Sequence, residues 1–269
     1  GTLLDTAKVS ITVTAVNDAP VASAGTVTTN EDTNYSGTLS ASDVDGDALT
    51  YSITTSPSNG TVSVVSGIGS LSFDGNDDYV DFGDDDDFDF GTGDLTIEAW
   101  INPANVSQNA RIVAKGHTGA SGCYQLAIIP NGRLRLSFYD DPGDYLSSDN
   151  VIQAETWQHL VLTRNGTTVK GYVDAVEVID GSISDDLDLT SDQVLVIGYE
   201  PGQSSYFNGL IDEVRIWKVP RTAEEILNNY WQSIIASQES GLLGYWQFNS
   251  GSGGSAVDQS INSITAYIT

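Results

Sequence analysis

Tyr124-Gln125-Leu126-Ala127-Ile128-Ile129-Pro130-Asn131-Gly132-Arg133-Leu134-Arg135-Leu136-Ser137-Phe138-Tyr139 reads as two strands folded back on an Asn-Gly turn. Asn-Gly supplies the two left-handed residues that a two-residue hairpin needs. A second pair, His159–Arg164 and Thr168–Val173, flanks Asn165-Gly166 in the same way. Outward from these hairpins lie further short runs at Leu95–Ile101, Arg111–Lys115, Val194–Ile197 and Leu210–Trp217. Many short strands, regular turn signals and almost no helical periodicity predict an all-β, two-sheet antiparallel jelly-roll sandwich. One short C-terminal helix stands out, from Thr222 to about Ile235. Thr222 is placed to cap it with Glu225 three residues on, and Ile226, Leu227, Tyr230 and Trp231 recur at helical spacing.

Composition supports a packed core: 39% of the 269 residues are hydrophobic, with five Trp, twelve Tyr and seven Phe, which excludes disorder. Ten basic residues against 37 acidic ones give a net charge of −27. Phosphate backbones and anionic lipid surfaces are therefore unfavourable partners, and divalent cations are the natural counterweight. Cys123 is the single cysteine, so no intramolecular disulfide forms and its expected role is packing. No apolar run reaches the length of a membrane span, so no membrane insertion is expected. These features suit an extracellular or bacterial cell-surface protein of which this chain is one part of a larger multidomain whole.

Toward the N-terminus, Lys8–Val16 alternates β-branched and small residues and stops at Asn17-Asp18-Ala19-Pro20. Asp43-Val44-Asp45-Gly46-Asp47 then forms an acidic turn before Leu49–Ile53. These residues resemble bacterial cadherin-like repeats, which implies a small N-terminal cadherin-like β-sandwich portion over residues 1–66.

Residues 67–269 form the larger domain in this reading. Phe73-Asp74-Gly75 with Asp78-Tyr79-Val80, Leu95–Ile101, Thr156-Trp157-Gln158-His159-Leu160, Gly171-Tyr172-Val173-Asp174 and Phe207–Trp217 follow one another in order. Together they resemble the laminin-G-like (concanavalin A-like, pentraxin-like) jelly rolls of bacterial surface proteins. Ala175 departs from the glycine usual after Tyr-Val-Asp. Gly241–Asn249 reads as an apolar strand that either opens a neighbouring domain or returns to complete this sandwich; the return is favoured, because a lone strand in water is unstable.

The resemblance implies a structural Ca2+ ion near Asp74 and Asp212; carboxylates that cap turns or pair with Arg215 need no metal. Asp43, Asp45 and Asp47 alternate around Gly46 as in a short calcium loop, although an acidic solvated turn has the same composition. The Asp84–Asp87 tract is expected to be a solvated loop. A carbohydrate site needs aromatic faces flanked by hydrogen-bonding groups on loops held by a rigid frame. Tyr139, Asp140, Asp141, Tyr145, His117, Tyr199 and Tyr206 are the candidates, with partly buried packing as the plainer role for each aromatic. Catalytic residues are not expected: no Glu-x-Asp-x-Glu arrangement occurs, and Glu98 has no carboxylate two residues away. The sequence thus points to a non-catalytic, calcium-dependent module that binds a polysaccharide or other glycan. An adhesion or spacer module contacting a cell-surface protein is the alternative, and a glycosidase or lyase trails both.

Overall fold

The computed structural model describes residues 19–26, 28, 41–42, 44, 55, 69–117, 119–141, 144–203, 205–230, 234, 236, 239–249 and 254–269. The chain divides into two compact units, Gly1–Thr54 and Thr55–Thr269. In the first, β1 (Val21–Ala22) pairs antiparallel with β2 (Ala41–Ser42). Asp43, Asp45 and Asp47 lie outside the described residues.

The second unit is the sandwich. Its chain runs through β3 (Leu71–Asp74), β4 (Val80–Asp81), β5 (Leu95–Pro103), β6 (Ala110–Lys115), β7 (Tyr124–Ile129), β8 (Arg133–Phe138) and β9 (Asp144–Leu146). β10 (Gln158–Asn165), β11 (Thr168–Val173), β12 (Val176–Ser182), β13 (Leu195–Ile197) and β14 (Asn208–Trp217) lead to the helix α1 (Ala223–Asn229). β15 (Leu242–Trp246), β16 (Ser255–Ala256) and β17 (Ala266–Ile268) close the chain. One sheet has the order β12-β11-β10-β5-β14-β15, with β3 also on β14. The other has the order β16-β17-β4-β13-β6-β7-β8-β9. All their pairings are antiparallel, as a jelly roll requires.

Strand alternation explains the core. Tyr124, Leu126 and Ile128 of β7 and Leu134, Leu136 and Phe138 of β8 face inward and are buried against Ile97, Ile101, Leu160 and Leu162 of the opposing sheet. The C-terminal segment comes back into both sheets: β15 pairs with β14, and β17 pairs with β4. Trp246 thereby enters the core against Phe82 and Phe88.

Part of the outer face of the seven-stranded sheet is also buried, where Ile226 of α1 packs on Val161 and Tyr172. Both halves of the capping box form: Glu225 N–H donates to Thr222 Oγ1 (3.2 Å) and Thr222 N–H to Glu225 Oε2 (2.8 Å). The described helix covers Ala223–Asn229, and residues 231–233 and 235 of the expected span lie outside the described residues. The Trp100 indole donates to the Tyr230 carbonyl (2.9 Å) and the two rings stack. Under this cover sits a charged network. Glu98 meets His159 (3.4 Å) and Arg215 (3.5 Å), and Arg215 bonds Glu213 (2.7 Å). Glu213 also accepts from the Tyr245 hydroxyl and from Gln247 Nε2 (2.9 Å). Burial alone would raise the Glu98 carboxyl, but its neighbours His159, Arg215 and Arg221 hold it below its ordinary range.

The Asp84–Asp87 tract is more than a solvated loop. Asp85 accepts from the Asp87 N–H (2.9 Å) at the start of a 3-10 turn that drives Phe88 into the core. The fully buried Lys115 ammonium lies between Asp84 (3.3 Å) and Asp89 (3.2 Å).

Candidate functional site

Strand direction sorts the candidate residues into two groups. In the eight-stranded sheet β13 runs antiparallel to both β4 and β6. The β3–β4 loop and the β13–β14 loop therefore meet at one end of the sandwich. The β6–β7 loop with His117 and the turn after β8 with Tyr139, Asp140 and Asp141 fall at the other.

At the first end, Tyr199 and Tyr206 stack with centroids 4.5 Å apart and planes 17° apart. Tyr79 leans on Tyr199 at 5.4 Å. All three are half-buried. Tyr199 is fixed by accepting the Gly202 N–H on its hydroxyl (2.9 Å), and Tyr79 by backbone hydrogen bonds in both directions with Thr269.

Beside the tyrosines is an acidic turn. Carboxylate oxygens of Asp74, Asp77 and Asp78 lie within 4.8 Å of one another. Asp74 Oδ1 accepts the Asn76 N–H (2.7 Å) and Asp78 Oδ2 accepts the Asp74 N–H (2.8 Å), leaving further oxygens toward solvent. The side chain and backbone of Asn76 hold the Asp74 carboxyl below its ordinary range. Burial, then Tyr199, Tyr79 and the charge of Asp77, raise the Tyr206 phenol. Gly75 keeps the two loops close. At φ +84° it leaves only 2.9 Å between an added Cβ and the Asn208 side chain, so a larger residue would drive the turn off β14.

The register sets Asp74 and Asp212, the pair expected near one ion, apart along β14. Asp74 pairs with Asn208, and Asp212 is four residues further along β14, roughly 13 Å at strand rise. Asp212 is 8% exposed beside a bulge, bonded to the Glu213 N–H (2.8 Å). Burial, then the charge of Glu213, push its carboxyl up to about 8.

At the other end the polar groups are engaged within the protein. Asp140 Oδ2 accepts the Gly122 N–H (2.6 Å), and Asp141 accepts the Ser184 N–H (3.3 Å). The Tyr145 hydroxyl lies between Asp141 Oδ1 (3.0 Å) and the Ser182 carbonyl (2.7 Å), with its ring against Phe138 and Gly181. Burial, then the hydrogen bond to Asp141, raise this phenol to about 12. Tyr145 thus ties β9 to β12 across the sandwich edge. Tyr139 is half-buried and donates its N–H to the Cys123 carbonyl (3.1 Å), while His117 is half-buried in the β6–β7 loop. Cys123 is fully buried.

Sequence reasoning placed Tyr199, Tyr206 and Asp74 among its candidates but missed Tyr79, Asp77 and Asp78. The available signal was the run Asp74–Tyr79 itself, three carboxylates and an aromatic in six residues.

The model of the concanavalin A-like lectin/glucanases superfamily matches residues 74–227. A bacterial Ig domain model matches residues 17–99; in the structure its last part, residues 74–99, supplies β4 and parts of β3 and β5 of the sandwich. A comparison with curated protein sequences returned no match. Among solved structures, a candidate carbohydrate-binding protein from Bacteroides ovatus superposes with a TM-score of 0.62 at 21% identity, over 78% of this chain and 64% of that one. The chain thus spans somewhat under two thirds of that protein's length. Domain 4 of the extracellular arabinanase AbnA from Geobacillus stearothermophilus, in complex with arabinotriose, has a TM-score of 0.45 at 16% identity, over 59% of this chain and 75% of that one. A pentraxin from Limulus polyphemus has a TM-score of 0.48 at 14% identity, over 59% and 79% respectively.

Proposed function

The chain belongs to the concanavalin A-like lectin/glucanases superfamily, and from that premise we propose that it is a non-catalytic glycan-binding module whose site is the Tyr79–Tyr199–Tyr206 rim. The observation that carries this reading is the contiguity of three half-buried tyrosines with three clustered carboxylates. Aromatic faces take the C–H face of a sugar ring, and carboxylates accept from its hydroxyls. The donor set is all oxygen, which fits Ca2+. Asp74, Asp77 and Asp78 would hold the ion, and the rest of its six to eight ligands would come from water or sugar hydroxyls. The ion would supply positive charge on a strongly acidic surface and orient a vicinal diol.

Two buried carboxylates do converge, Glu98 and Glu213, both on Arg215. Their side chains are only 2% exposed and neutralised by arginine, which suits a structural network rather than the accessible pair a glycosidase uses. The fit to a bacterial Ig domain over residues 17–99 supports a place in a larger extracellular protein, where the module would hold a partner domain near its polymer. The same fit favours the second reading, an adhesion or spacer module.

A glycan panel screened by thermal unfolding in calcium and in EDTA tests the first reading. A saccharide-specific rise in midpoint, lost in Tyr199→Ala/Tyr206→Ala, is expected. No rise with any glycan, in calcium or without, transfers the case to the adhesive reading.

A further inference from the structure

The seven-stranded sheet carries a second polar site, at its far end from the tyrosine rim. Gly209, next to Asp74's partner Asn208, pairs with Pro103, whereas Thr163 pairs with Thr96, seven residues or roughly 23 Å back along β5. There the outer face presents successive rungs: Asn165 opposite Thr168, Thr163 opposite Lys170, and Val161 opposite Tyr172, with Glu177 beyond. Side chains on a strand alternate by face, so Thr163, Asn165, Thr168, Lys170 and Tyr172 leave the sheet on one side. The segment Pro220–Ala223 stands over them, enclosing a groove of about 310 Å³, at the small end of the about 300–1,000 Å³ range of ligand sites.

The groove is held open by contacts outside it. Thr96 Oγ1 donates to the Val219 carbonyl (2.9 Å) and accepts the Arg221 N–H (2.8 Å), which pins the overhanging segment to β5. The Arg221 guanidinium lies 4.1 Å over the Trp217 ring and reaches Glu239 (3.4 Å). A wall fixed at both backbone and side chain makes a preformed site.

Its chemistry is specific. Thr163 is 4% exposed and Tyr172 3%, yet neither hydroxyl has a protein partner among the described residues, and both line the groove. The Asn165 amide adds a donor and an acceptor. Of the two cations in the lining, Lys170 is offset by Glu177 (2.7 Å) and Asp180 (3.8 Å) and Arg221 by Glu239 (3.4 Å) and Glu98 (4.0 Å), so the groove has no net positive charge to attract an anion. Hydroxyls, an amide and a self-compensated ion pair match a ligand that both donates and accepts many hydrogen bonds and has no charge.

We infer that this groove is a second saccharide subsite, selective for neutral sugars, which makes the module bivalent. The inference rests on the glycan-binding reading. Because the two sites lie at opposite ends and on different parts of the molecule, a short oligosaccharide does not bridge them; the module instead engages two segments of polymer and gains avidity from both.

Nuclear magnetic resonance titration of the full chain with cellotriose, mannotriose, xylotriose and arabinotriose, and with trigalacturonate as the anionic control, tests the inference. Amide resonances of Thr163, Asn165, Thr168 and Lys170 are expected to shift with at least one neutral trisaccharide and not with trigalacturonate. The shift should survive Tyr199→Ala/Tyr206→Ala and weaken about tenfold in affinity in Asn165→Ala/Lys170→Met, as loss of two hydrogen bonds implies. Thr168→Trp, which fills the groove, is expected to abolish it with the unfolding midpoint kept. Shifts confined to the Tyr199 and Tyr206 loop overturn the second subsite and leave the module a monovalent binder. A groove that prefers trigalacturonate overturns the charge argument, and no shift anywhere with any saccharide overturns the subsite together with the reading it rests on.

Discussion

Asp212 has its carboxyl pushed to about 8 by burial and by Glu213, well above the ordinary aspartate value near 3.9. The folded chain therefore holds a proton there that the unfolded chain releases. Because the folded state binds more protons, this residue's effect on stability becomes less favourable as pH rises from about 4 to about 8 and is constant above. Asp212→Asn should flatten that part of the stability-versus-pH profile and raise stability at pH 8, read by denaturant titration at pH 5, 6.5 and 8. A loss of stability at pH 8 that added calcium makes larger would instead mark Asp212 as a cation ligand. Glu98 behaves oppositely: its buried carboxylate, held low, faces Arg215 and Arg221. Glu98→Gln should cost about 3–5 kcal/mol, the usual result of stranding buried charge, measured by the same titration. Ala175 is the third such residue. Asp174 at φ 50° and Ala175 at φ 62° form the two-residue turn between β11 and β12, so the hairpin keeps its left-handed turn in spite of the missing glycine. Ala175→Gly removes side-chain strain at a small entropic cost and should stabilise by about 0.5–1 kcal/mol, a rise of a few degrees in Tm.

Among the elements, what the sequence made legible had a local cause. Asn131 at φ 71° and Gly132 at φ 62° turn the chain between β7 and β8 in a loop that Pro130 extends to three residues, and the capping box of α1 is spelled out by Thr222 and Glu225. β4, β16 and β17 span two or three residues each, too short for any periodicity, and exist because their partners hold them. The two ends of the sandwich were illegible for a related reason. That His117 and Tyr139 part from Tyr199 follows from the order β13-β6-β7-β8, a long-range fact that no local pattern carries. Tyr79 owes its place to the C-terminus, since it exchanges backbone hydrogen bonds with Thr269 and its neighbour Val80 pairs with Ile268. Truncation after Gln259 removes β17 and should weaken glycan binding at the tyrosine rim about as much as Tyr79→Ala does, with a lower Tm that the point variant lacks. Undiminished binding in the truncated chain would show that β17 does not position the rim.

At the scale of the whole molecule the net charge of −27 is a standing cost to compactness. Some of it is neutralised internally, since Lys115, Arg215 and Arg221 each sit among carboxylates in buried or nearly buried positions. The remaining surface charge repels itself over distances set by the Debye length, about 10 Å at 0.1 M salt and 3 Å at 1 M. Tm should therefore climb with NaCl and level off as screening becomes complete. Site-bound calcium acts by a different law: binding to the folded state alone adds RT ln(1 + [Ca]/Kd), about 2.7 kcal/mol at a hundredfold excess over Kd. At matched ionic strength CaCl2 should raise Tm beyond NaCl, MgCl2 should do less because Mg2+ demands a tighter octahedron, and the surplus should vanish in Asp74→Asn/Asp77→Asn/Asp78→Asn. That variant also lowers the net negative charge by three, so its Tm in NaCl should lie at or above that of the parent chain. A calcium surplus that persists without these three carboxylates places the ion elsewhere in the chain, and equal curves for NaCl and CaCl2 reduce the acidic turn to an aromatic site's polar rim.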